Sequence, residues 1–143
     1  MATLKVEIVS PEAALWAGEA TALIARSTEG DFTILAQHTA TVGDIVPGVV
    51  RVETAEGEVA FVVHGGYFQV GPSAQEGETL ATVLAGVAER TTEIDVARAQ
   101  AAMEAAQALI AEATRNDQHE TIALMAAQGA LERAELRLRA AGK

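Results

Sequence analysis

The sequence contains no cysteine, which excludes a disulfide framework, a thiolate nucleophile and any cysteine-ligated zinc or iron–sulfur site. Aromatic residues are nearly as scarce, with one Trp, one Tyr and three Phe among 143 residues. No uninterrupted apolar run approaches the roughly eighteen residues of a membrane-spanning helix. Met1 to Pro11 alternates apolar with polar residues, where an export signal would carry a charged head and an apolar core. Basic residues are outnumbered, ten Lys and Arg against twenty Asp and Glu, and the net charge of −10 opposes binding to nucleic acid or to anionic lipid. A protein partner fits this charge better. Half of the residues are apolar, and a chain of this length can bury about two-thirds of its unfolded surface.

Turn-forming residues are unevenly distributed. All three Pro, ten of the twelve Gly and all five aromatics lie before residue 91. There, turn signals such as Pro11-Glu12, Glu29-Gly30-Asp31, Pro47-Gly48, Glu56-Gly57, Gly65-Gly66 and Glu76-Gly77 separate strand-length runs. Leu4, Val6 and Ile8 alternate with Lys5 and Glu7, Val50 and Val52 with Arg51 and Glu53, while Val59, Phe61 and Val63 share one face of a third run. Many short strands of this kind predict a β-sandwich or barrel. The Gly65-Gly66 pair reads as a tight turn between two strands.

Residues 91–143 contain no Pro, only Gly129 and Gly142, and sixteen Ala, which predicts helix. Thr92-x-x-Asp95 and Asp117-x-x-Glu120 can cap two helix starts, with Asn116 turning the chain between them. The expected fold is therefore α+β in two domains. An N-terminal antiparallel β-sandwich over 1–88 precedes an antiparallel two-helix hairpin over 89–143, with helices near 93–115 and 118–141. The second helix carries a seam of Leu124, Ala127, Leu131, Ala134 and Leu138; a facing stripe of Ala102, Ala106, Leu109 and Ala113 is expected on the first. An Ala-rich seam removes less apolar area from water than a Leu seam, so the hairpin is expected to dock weakly.

Signs of catalysis are few. His38, His64 and His119 have no second His or carboxylate at metal-ligand spacing, so no metal site is expected. There is no G-x-S-x-G, Walker A or G-x-G-x-x-G pattern, and no nucleophile stands beside a base. An enzyme would need His38 or His64 to meet Asp31 or Asp44, and no spacing demands that. The arginines say more. Asp95 and Arg98 are three apart, Arg133 and Arg137 four apart, so each pair projects from one helix face. With Glu89 and Asp95 to orient them, the three guanidiniums can grip nucleotide phosphates. By spacing alone they can equally be solvated, or paired with Glu132 and Glu135.

Ser27 to His38 (STEGDFTILAQH), Pro47 to Val52 (PGVVRV), Phe61 to Val70 (FVVHGGYFQV), the opening LKVEIVSPE and Glu93 to Ala99 (EIDVARA) together resemble the epsilon subunits of F-type ATP synthases. The similarity extends over nearly the whole chain. It implies a non-catalytic subunit of the rotor's central stalk, its sandwich against the gamma subunit and the c-ring, joining ring rotation to the catalytic head. The hairpin would oppose ATP hydrolysis when extended toward the alpha and beta subunits. No cofactor is required; ATP is the regulatory ligand implied, held by the residues matching the pattern of ATP-binding members: Glu89, Ile94, Asp95, Arg98, Ala99, Arg133 and Arg137. This sequence departs from that pattern at Ala105, where those members commonly carry another Arg. The resemblance also assigns partner contact to Glu29, Gly30, Asp31 and His38, although Ala36-Gln37 replaces the usual Pro-Gly before the loop His. The implied location is the cytoplasmic face of a bacterial plasma membrane, reached only through the complex. The alternative is a free-standing adaptor with a partner site on its helical hairpin.

Overall fold

The computed structural model describes residues 2–115 and 122–142. In chain order the strands are β1 (Thr3–Val9), β2 (Ala14–Ala20), β3 (Ala22–Ser27), β4 (Gly30–Ile34), β5 (Thr41–Ile45), β6 (Gly48–Thr54), β7 (Gly57–Val63), β8 (Gly66–Pro72), β9 (Glu78–Ala85) and β10 (Ala88–Arg90). They form two five-stranded sheets, ordered β2-β1-β9-β8-β5 and β10-β7-β6-β3-β4. The alternation in the sequence sets which side chains face inward. Leu4, Val6 and Ile8 of β1, Val50 and Val52 of β6, and Phe61 and Val63 of β7 meet in one apolar core with Leu23, Ile34 and Val83. Val62, on the opposite face of β7, is also fully buried.

All strand pairs are antiparallel except β1 and β9, which run parallel from Thr3↔Glu78 to Val9↔Leu84. A parallel pair needs a long connection, and here most of the sandwich is that connection. Short hairpins join β3 to β4 and β6 to β7 with the same turn chemistry. Ser27 Oγ and Thr54 Oγ1 each accept from the amide two residues on and donate to the carbonyl of Gly30 or Gly57. Those two glycines sit at φ 117° and 123°, a region costly for other residues. The Gly65-Gly66 step differs from the expected turn between paired strands. β7 and β8 belong to different sheets, so the chain crosses from one layer to the other there. Gly66 is required for a second reason: a Cβ at this position would collide with the Leu84 carbonyl oxygen of β9.

The chain divides into two compact units, Met1–Arg90 and Thr91–Lys143. The boundary falls at Arg90 because Ala88, Glu89 and Arg90 pair with Val63, Val62 and Phe61 and so belong to the sheet. In the second unit a 3-10 turn (Thr91–Glu93) precedes α1 (Val96–Arg115) and α2 (Ile122–Ala140). The first helix starts later than expected. Thr92 lies inside the 3-10 turn, and Asp95 is the cap, its Oδ1 accepting from the Arg98 amide at 3.0 Å. The expected second cap at Asp117 and Glu120, the turn at Asn116 and His119 lie outside the described residues.

The helices pack along their length. A parallel return would require about 30 Å, and the chain between Arg115 and Ile122 reaches at most about 25 Å, so they run antiparallel. On α2 four of the five expected seam residues, Leu124, Ala127, Ala134 and Leu138, are buried, together with Leu136, while the fifth, Leu131, is half-buried. On α1 the stripe is different. Ala99 and Ala106 are buried, Met103, Ile110 and Ala113 half-buried, whereas Ala102 is exposed and Leu109 is 56% exposed. An Ala-rich helix has so little contrast between faces that members of its apolar stripe can be assigned one residue, about 100° around the helix, from their true place.

Candidate functional site

The residues singled out in the sequence fall in two places. Those of the helical unit begin with half-buried Ile94 and the capping Asp95. Arg98 is exposed in the first turn of α1, and Ala99, one residue on, is buried in the seam with only 3% of its surface accessible. Antiparallel packing brings this end of α1 beside the C-terminal half of α2, which carries exposed Arg133 and half-buried Arg137. Arg133 Nη1 lies 3.2 Å from the place a Cβ on Gly129 would occupy, so its side chain folds back over the preceding turn into room that the glycine leaves. Arg137 has a partner within the protein. Chemically this end of the hairpin offers guanidinium donors on both helices. Ala105 is exposed two turns beyond Arg98 on the same helix face. Glu89 is half-buried in β10 opposite Val62 and makes a further interaction of its own.

The second group lies in the sandwich but is split by β4: Glu29, Gly30 and Asp31 are at the turn that opens that strand, near Asp44, and His38 is in the loop after it, near Thr41 at the other end of β5. Glu29 is at the tip of the β3–β4 turn, closed by Gly30. Asp31 pairs across the strands with Arg26, Nε to Oδ1 2.8 Å, a partnership missed in the sequence although the two residues flank a two-residue turn. Both are well exposed, so the pair fixes geometry more than it stabilises. Asp44 of β5 ties the tip to the other sheet, accepting from the Thr28 amide at 3.3 Å and lying 3.4 Å from its hydroxyl. His38 is exposed and its ring Nδ1 donates to the Thr39 carbonyl at 2.8 Å; a carbonyl only accepts, so the proton of the neutral ring is on Nδ1 and Nε2 is left to accept. The carboxylates of Asp31 and Asp44 are thus engaged by Arg26 and Thr28, and His38 by its own loop.

Just before His38, Gln37 occupies a left-handed conformation with φ 68°, the only non-glycine residue to do so among those described. Its amide donates to Thr79 Oγ1 at 2.8 Å, and Thr79 is the one buried polar side chain of the described residues, 7% exposed. That bond holds a strained residue in place. Gln37→Gly is expected to raise stability by about 1 kcal/mol, the left-handed penalty outweighing the added freedom of the unfolded chain. Denaturant titration at constant m-value checks this, and a lower midpoint would count against the strain.

Comparison with known proteins agrees with this architecture. The profile for the ATP synthase, Delta/Epsilon chain, beta-sandwich domain matches residues 3–91, and that for the ATP synthase, Delta/Epsilon chain, long alpha-helix domain matches residues 92–142. The ATP synthase epsilon chain of Laribacter hongkongensis is 42% identical over 126 residues, covering 86% of this chain and 84% of that one. The epsilon chain of Streptomyces coelicolor is 35% identical over 141 residues, 98% of this chain and 96% of that one. In fold, the chain is similar to one in the mitochondrial ATP synthase of Euglena gracilis, with TM-score 0.78 and 23% identity, over all of this chain and 83% of that one. With both units matched in order across nearly its full length, the chain belongs to the ATP synthase delta/epsilon family, on its epsilon-chain branch.

Proposed function

We propose that this protein is a non-catalytic subunit of the central stalk of an F-type ATP synthase. Its sandwich binds the gamma subunit and the c-ring and turns with them, joining ring rotation to the catalytic head. Its hairpin is a two-position element that opposes ATP hydrolysis when it extends toward the alpha and beta subunits. The turn carrying Glu29, Gly30 and Asp31, together with His38, is a partner contact of the sandwich. The complex holds the protein peripherally at the cytoplasmic face of a bacterial membrane. The observation that carries this reading is the joining of two units of opposite character, a sandwich with a large aliphatic core and a hairpin whose α1 buries only Ala99 and Ala106. A small apolar seam leaves a modest free-energy gap between docked and released helices, which differential contacts can reverse.

ATP is the ligand proposed for the docked hairpin, through Ile94, Asp95, Arg98, Ala99, Arg133 and Arg137, with Glu89 from the strand before them. If only the docked form binds, a hundredfold excess of ATP over Kd stabilises it by about 2.7 kcal/mol. Calorimetric titration of the intact protein with ATP is expected to give a saturable heat that is lost in Arg98→Ala. Ala105→Arg places a further guanidinium on the Arg98 face and is expected to tighten binding about tenfold. Absence of heat at millimolar ATP in the unmodified protein would remove the nucleotide site. The stalk assignment is tested separately by sedimentation from native membranes, where the protein is expected to travel with ATP synthase subunits; its appearance free of them would favour the adaptor.

A further inference from the structure

β2 lies at the edge of its sheet, paired with β1 on one side and, among the described residues, with no strand on the other. Sheet edges are commonly protected by lysine or proline; β2 reads ALWAGEA and has neither. A groove of about 710 Å³ runs beside it, walled by β2 and by the β6–β7 turn. Near Thr21, whose amide donates to the Glu53 carbonyl at 2.7 Å, the two walls are joined. Trp16, Glu19, Thr21, Glu56, Glu58 and Arg90 are among its lining residues. Three exposed carboxylates thus face one guanidinium, and Glu58 is only loosely paired with Arg51 at 3.8 Å. Arg90 Nε is buried and has no acceptor among the described residues.

We propose that this groove receives one extended, basic segment of a partner protein as an added strand along β2. Seven residues of open edge span about 23 Å, enough for several main-chain hydrogen bonds; that mode takes affinity from the backbone and selectivity from alternate side chains. Lysine or arginine side chains of the segment face the exposed Glu19, Glu56 and Glu58. A second copy of this chain is a poorer occupant, because it carries a net charge of −10 and would bring another Glu19 to the same edge. The proposal stands apart from the nucleotide reading and uses no residue of the hairpin.

Trp16 is the only tryptophan and lines the groove, so its fluorescence reports occupancy in the intact protein. The probe is the acetylated and amidated peptide Lys-Val-Lys-Val-Lys-Val-Lys. Expected are a saturable change in Trp16 emission, weakening as ionic strength rises, and at least about a tenfold loss of affinity when every peptide amide is N-methylated, which removes strand pairing and keeps the charge. A similar loss is expected in a Glu19→Gln, Glu58→Gln variant, both sites being exposed so that its thermal midpoint stays near that of the parent. No saturable change at millimolar peptide, or equal affinity for the N-methylated peptide, overturns the proposal. So does a Trp16 signal that follows protein concentration without peptide, which would identify a second copy as the occupant.

Discussion

Gly66→Ala is expected to destabilise the sandwich by about 3 kcal/mol, the upper part of the range for overpacking a well-ordered interior. For a unit of this size, that lowers the thermal midpoint by about 12–24 °C. The cause is a collision between backbone and a single methyl group. A Cβ on Gly66 meets the Leu84 carbonyl oxygen and lies 3.2 Å from Ala85 Cα. Both belong to β9, the middle strand of its sheet, held by β1 on one side and β8 on the other. Relief therefore requires displacing paired backbone, where a side chain would simply rotate away. Gly71 in the same strand is the control: nothing lies within 4 Å of its Cβ position, so Gly71→Ala should be neutral or stabilising by a few tenths of a kcal/mol. Scanning calorimetry of both variants distinguishes the two sites. A Gly66→Ala midpoint within about 2 °C of the parent would show that β9 yields.

Ala134→Asp should have a comparably large effect, confined to the other unit. Ala134 is 1% exposed in the hairpin seam, where a carboxylate must either protonate or separate the helices. The penalty is several kcal/mol, more than an interface of mostly alanine can absorb, so the two helices should come apart. The sandwich has its own core and should persist. Far-UV dichroism should therefore lose much of its helical signal while the near-UV bands of Trp16 and Tyr67, both in strands, remain. Loss of both signals in one transition would mean that the units do not fold independently.

Much of the sandwich can be read in the sequence because each strand has one buried face, and a period of two leaves few choices for β1, β6 and β7. What could not be read was non-local. The parallel pairing of β1 with β9, and the crossing between layers at Gly65, depend on strands remote in sequence; local alternation carries no information about partners. The α1 stripe is legible only in part, for a different reason. Ala106 and Ala113 do face inward, but Ala102 cannot be told from Ala99 by apolar character, and Leu109, the bulkiest residue of the expected stripe, lies outward. At the site, the spacing of Arg98, Arg133 and Arg137 was compatible with solvated arginines, and the resemblance of the whole motif singled them out. Arg26 and Thr28 carry no signal in the sequence, and Asp44 suggests only a possible partner for a histidine, because their roles are to brace a turn and each bond they make spans strands or sheets.

The parallel ladder between β1 and β9 also governs when the sandwich can be completed. Thr3 pairs with Glu78, a separation of about 75 residues, which at ribosomal rates takes about 4–15 s to synthesise. During that interval β1 has β2 on one side only, while the apolar residues destined for its other neighbour are still being added. Such distant pairing raises contact order and slows folding, whereas the two helices that follow make mostly nearby contacts and can form in microseconds to milliseconds once released. The nascent chain thus finishes its slow, long-range half only shortly before its fast, local half emerges.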